Sequence, residues 1–101
     1  MDLKTRIMRN KFVERLRMEL VIDENEYELL CKALKELAQE WQSKNSIDKE
    51  LAGDLYVLVP IARNMAEDVA RARGGLAVKH KVEEMATELD ALVIECFQTP
   101  K

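Results

Sequence analysis

Four carboxylates come closest to a chemical motif in this chain. Glu36 and Glu40 stand four residues apart in KELAQE, and Glu50 and Asp54 are spaced the same way in KELAGDL. On a helix, residues four apart share a face. Two such pairs could offer the oxygen ligands that hard divalent cations take. His80, in AVKHKVEEM, is the only histidine, and one imidazole cannot build a His-rich zinc site. Cys31 and Cys96 show no CxxC spacing and sit in apolar-periodic segments, which predicts buried free thiols and a reducing cytoplasm. No Ser/His/Asp or Cys/His pairing can be assembled, and Gly74-Gly75 lacks the GxGxxG or GK[ST] context of a phosphate loop.

Over about residues 30–66, the segments ALKELAQEW and KELAGDLYVLVPIA, joined by a short turn, resemble the all-α NTP pyrophosphohydrolases of the MazG type. Those enzymes carry an E-x-x-E pair on one helix and an E-x-x-D pair on the next, holding Mg²⁺ against a nucleotide's phosphates. The resemblance implies Glu36 and Asp54 as the second member of each pair. The first members fall on Ala33 and Leu51, which have no ligand atom. The phosphotransfer helices that His80 brings to mind follow their histidine closely with Lys-Gly, absent here, so His80 is expected to be an ordinary surface residue. A chorismate-mutase-like cavity would need converging arginines, but Arg63, Arg71 and Arg73 lie off the apolar stripe.

The elements that would position these groups can be read from breakers and caps. Three glycines and two prolines in 101 residues, with much Leu, Ala, Glu and Lys, predict a single all-α domain over residues 1–101. Asp23-Glu24-Asn25-Glu26 reads as a capping box, with Ile22 and Tyr27 placed as its hydrophobic staple. Asn45-Ser46-Ile47-Asp48 supplies the next turn and cap, and Gly74-Gly75 the following break. Four helices are expected, near 3–20, 24–44, 48–73 and 76–97, with no linker or repeat.

Their apolar residues recur every 3.5 positions: Tyr27, Leu30, Leu34, Leu37 and Trp41; then Leu51, Leu55, Leu58, Ala62, Met65, Val69 and Ala72; then Val78, Val82, Met85, Leu89, Leu92 and Cys96. That period predicts a small up-and-down bundle. In this register Glu36 and Glu50 fall at c, and Glu40 and Asp54 at g, so the carboxylates face away from the seam. No metal, cofactor or catalytic residue is therefore expected.

Two stretches exceed what a bundle needs. The first helix spreads Leu3, Ile7, Met8, Phe12, Val13, Leu16, Met18 and Leu20 around most of its wheel. It also carries Arg6, Arg9, Arg15 and Arg17, an anion contact that keeps a nucleic-acid-binding regulator as the second alternative, although a net charge of −3 does not by itself call for such a partner. In LYVLVPIA, Tyr56, Val57, Val59, Pro60 and Ile61 occupy positions b, c, e, f and g, so the helix is apolar all round. The in-phase heptad predicts one helix from 48 to 73, kinked at Pro60. A non-enzymatic protein–protein contact module is expected. Its interface would use Tyr56, Val57, Val59, Pro60 and Ile61 with Phe12 and Met8, against a second copy in a homodimer or a different protein. The chain has no signal-peptide pattern and no apolar run long enough to span a membrane.

Overall fold

The computed structural model describes residues 2–44 and 46–98. Every regular element among them is an α-helix: α1 (Leu3–Met8), α2 (Phe12–Met18), α3 (Glu24–Gln42), α4 (Lys49–Asn64), α5 (Ala66–Arg73) and α6 (Leu76–Phe97). Counting α4 and α5, which meet at Met65, as one rod gives five helices rather than the four expected.

The helix starts follow local chemistry. Asp2, Asp23 and Asp48 each accept a hydrogen bond from the backbone N–H three residues on, at 2.8, 3.0 and 3.0 Å. The capping box at Asp23 is half-formed, because Glu26 does not turn back on its own helix. Its Oε1 instead accepts the Lys11 N–H at 2.8 Å and so holds the start of α2. Gly74 and Gly75, at φ 135° and 88°, make the turn into α6 in backbone conformations that glycine tolerates best.

Two expected helices are each broken in two. The first parts at Asn10, whose Oδ1 accepts the Phe12 N–H at 3.0 Å while its Nδ2 donates to the Glu26 carbonyl at 2.9 Å. The helical phase restarts there, which explains why the apolar residues of 3–20 seemed to circle one wheel. The second parts at Met65, five residues beyond Pro60. Helix α4 ends with Arg63 in its last turn and α5 begins with Glu67 and Asp68 in its first, the charge order each helix dipole favours. Pro60 lies inside α4 without ending it.

Helix α6 is the hub, packing against α3, α4 and α5, while α1 and α2 lie across α3 and α4. Since α4 and α5 both contact α6 after the Gly74–Gly75 turn, the rod and α6 form an antiparallel hairpin. Phe12, Leu16, Leu34, Leu55, Leu89 and Val69 are among the fully buried side chains, and Phe12 meets Tyr27 with ring centroids 5.0 Å apart. The buried set also departs from the strict heptad. Val59, Ala66 and Val93 are buried, whereas Leu58, Met65 and Leu92 are only half-buried. All three buried residues fall at position e, which joins a and d in the wider apolar stripe of a helix that packs on more than one neighbour.

Candidate interaction surface

The carboxylate pairs do not converge. Glu36 accepts two hydrogen bonds from Arg6, at 2.8 and 3.4 Å, and that guanidinium holds its carboxyl below the usual range. Glu40 pairs with Lys44 at 2.9 Å and Glu50 approaches Lys4 at 3.8 Å. Asp54 stands in a different place, on the wall of a furrow between α4 and the first two helices. Among the described residues, no group of three or more His, Cys, Asp or Glu side chains is arranged to hold a metal ion. His80 is exposed on α6 near Glu83 and Glu84.

The thiols are packed. Cys96 points its Sγ at the Leu34 carbonyl, 3.4 Å away, and burial pushes its pKa up to about 11. Cys31 is half-buried and likewise raised, chiefly by burial. Tyr27 donates to Glu88 at 2.9 Å, and its phenol is raised first by burial and then by that carboxylate.

Of the four arginines proposed for anion contact, two are engaged within the fold. Arg6 binds Glu36, and Arg15 reaches Asp23 at 2.6 Å and Glu19 at 2.9 Å. Arg9 and Arg17 are exposed and have no ion partner among the described residues. The first two are therefore braces: Arg6 ties α1 to α3, and Arg15 ties α2 to the start of α3.

The expected contact residues divide in a similar way. Phe12 (0 % exposed) and Val59 (4 %) belong to this chain's own core and present nothing to a partner. Phe12 is buried because α2 restarts at Asn10 and turns it inward. Val59 is buried because α4 packs on several helices at once, so its buried stripe takes in position e beside a and d. Tyr56 is 79 % exposed, Val57 49 % and Met8 39 %; Pro60 is also exposed and Ile61 half-buried.

Together these residues make α4 a ridge between two furrows. On one side Met8, Met18 and Val57 line a furrow against α1 and α2. On the other, Tyr56, Ile94 and Phe97 line a furrow of about 640 Å³ against α6. Nine large apolar side chains are exposed among the described residues, and these six sit beside α4; only Leu29, Ile47 and Leu76 lie elsewhere. Helices α1 and α2 thus cover the Leu58 and Ile61 side of the apolar helix but leave its Tyr56 and Pro60 side open.

Met18, Ile94 and Phe97 were not among the residues expected from sequence. For the last two the signal was present. ALVIECF, residues 91–97, is nearly as apolar all round as LYVLVPIA, and two such helices side by side leave a shared outer face. Compared with family models, curated proteins and solved structures, the chain matches none.

Proposed function

We propose that this chain is a small helical contact module that works by binding protein through the ridge of α4 and its flanking furrows, as a regulator, adaptor or assembly subunit rather than as a catalyst. The observation that carries this reading is the gathering of six of nine exposed large apolar side chains around one helix. Scattered surface apolar residues are ordinary, whereas a contiguous patch is how protein contact sites are built. Met8 and Met18 at the edge add unbranched side chains that adapt to a partner's shape. The open face also accounts for Pro60. Its ring lies on the exposed side, where the Tyr56 carbonyl that it leaves without a helical donor can be met by water or by a partner, and where a bend in α4 would shape the ridge. The free thiols fit work in a reducing compartment such as the cytoplasm.

The test is the assembly size of the native chain in an extract of its own cells, compared with a variant carrying Tyr56→Glu and Val57→Glu. The native chain should elute in an assembly larger than its 11.7 kDa, and the variant, still helical by circular dichroism, at the monomer mass. A native chain that elutes as a monomer in the extract overturns the reading.

A further inference from the structure

Resting on that reading, we infer that the partner on the α4–α6 side is a second copy of this chain, related by a two-fold axis running along the furrow. In that arrangement Arg63 of each copy lies against the partner subunit's Asp90.

The furrow's floor and walls are apolar: Leu55, Val59 and Pro60 from α4, with Val93, Ile94 and Phe97 from α6. Its charged lining residues are one cation and one anion, Arg63 and Asp90, and neither has an ion partner among the described residues. Arg63 is the α4 lining residue nearest the Gly74–Gly75 turn, and Asp90 is the α6 lining residue nearest the same turn. Because the helices are antiparallel, the two residues flank the same end of the furrow from opposite walls.

That placement decides between occupants. A partner of uniformly acidic or basic character would satisfy one of the two charges and repel the other. A copy of the same face, rotated about an axis along the furrow, brings α4 over the partner's α6 at equal height, which sets each arginine over an aspartate. Both charges are then met twice by one symmetry operation, and the surrounding apolar walls close on each other into a four-helix core. An alternative axis across the furrow would carry the charged end onto the end formed by Phe97 and Gln98 and leave the charges unmet. Size is compatible too. A stable interface takes about 800 Å² from each subunit, a modest share of the 6555 Å² this chain exposes. A domain this small buries a lower share of its surface than a larger one, and gains from the further burial.

The experiment is sedimentation equilibrium of the purified chain over micromolar to millimolar concentration, with Arg63→Asp, Asp90→Arg and the double exchange, each checked for helicity. The wild type should approach twice the 11.7 kDa of one chain. Each single reversal sets like charges across both contacts and should weaken association at least about tenfold, while the double exchange should restore it to within about threefold. A wild type that stays monomeric up to about 1 mM overturns the inference. So does a dimer indifferent to both reversals, or one that the double exchange does not restore. If the purified chain is monomeric but elutes in a larger assembly from the cell extract, the self-pairing fails while the contact reading stands. If it is monomeric in both, the two fail together.

Discussion

Arg73, in the last turn of α5, donates its Nε–H to the Leu20 carbonyl at 2.9 Å and its Nη2–H to the Glu19 carbonyl at 3.2 Å, joining residues more than fifty positions apart. Leu20 is the one described non-glycine residue with positive φ, at 55°. A leucine in that conformation carries steric strain that glycine would not. Its side chain packs against the core, and the guanidinium satisfies carbonyls that the end of α2 leaves open.

Arg73→Ala is therefore expected to destabilise the fold by about 1 kcal/mol, the scale of partly exposed hydrogen bonds to a charged group. Amide exchange should quicken first over residues 15–21. Arg73→Lys should recover only part of the loss, because an ammonium lacks the fork that reaches two carbonyls at once. Uniform exchange across the chain in Arg73→Ala would contradict this local role.

Phe12 and Tyr56 were both candidates for partner contact, and their burial predicts opposite behaviour. Phe12→Ala should cost about 3–5 kcal/mol of stability, since it empties a fully enclosed ring site against Tyr27. Tyr56→Ala should change stability by less than about 0.5 kcal/mol while weakening assembly. Denaturant titration beside a mass measurement separates the two effects for each variant.

The glycines should split by backbone geometry. Gly53 lies inside α4 with open space where a Cβ would go, so Gly53→Ala should stabilise by about 0.5–1 kcal/mol. Gly74 holds φ 135°, and a Cβ there would meet Val78 at an ordinary 3.6 Å. Space does not forbid Gly74→Ala, but the backbone does, and a lower midpoint in thermal melts is expected.

Acid should unfold the chain through three named carboxylates. Asp23 and Asp48 are held below their ordinary range first by the backbone N–H bonds of Glu26 and Leu51, and then by Arg15 and Lys4; Glu36 is held down by Arg6. A depressed folded-state pKa stabilises above the unfolded value, roughly 4, and that contribution disappears as pH falls through the folded one. Melting temperature should thus drop as pH is lowered from about 5 towards 2. Asp48→Asn, which keeps an acceptor for the Leu51 N–H but has no charge to lose, should show a shallower fall. A wild-type melting temperature that holds steady across this range would show that these contacts contribute little.

Helix starts at Asp23 and Asp48 and the break at Gly74–Gly75 could be read from sequence because their chemistry lies within three or four residues of the cap. The break at Asn10 could not. Asn10 donates to the Glu26 carbonyl across sixteen positions, and the Glu26 carboxylate accepts from the Lys11 N–H, capping a helix other than its own. The break at Met65 leaves only the switch from Arg63 to Glu67 and Asp68 as its trace in the sequence. The heptad found the right faces but placed Val59 outward, whereas it is buried and Leu58 beside it only half-buried. For the carboxylates, the register set all four off the seam; Glu36, Glu40 and Glu50 meet separate cations, and Asp54 lines a separate furrow. The contact face was half legible: LYVLVPIA showed it from one side, and ALVIECF needed its neighbour before its surplus could be noticed.

Because α6 is the helix on which α3, α4 and α5 all pack, those three leave the ribosome before the surface that buries them. Until residues 76–97 have emerged, the apolar faces of α3 and α4 have only α1 and α2 to share between them. Synthesis therefore passes through a stage at which most of the chain is present and little of its core can close. Incomplete chains that expose apolar surface in this way are prone to aggregate, so closure of this core waits on its last helix.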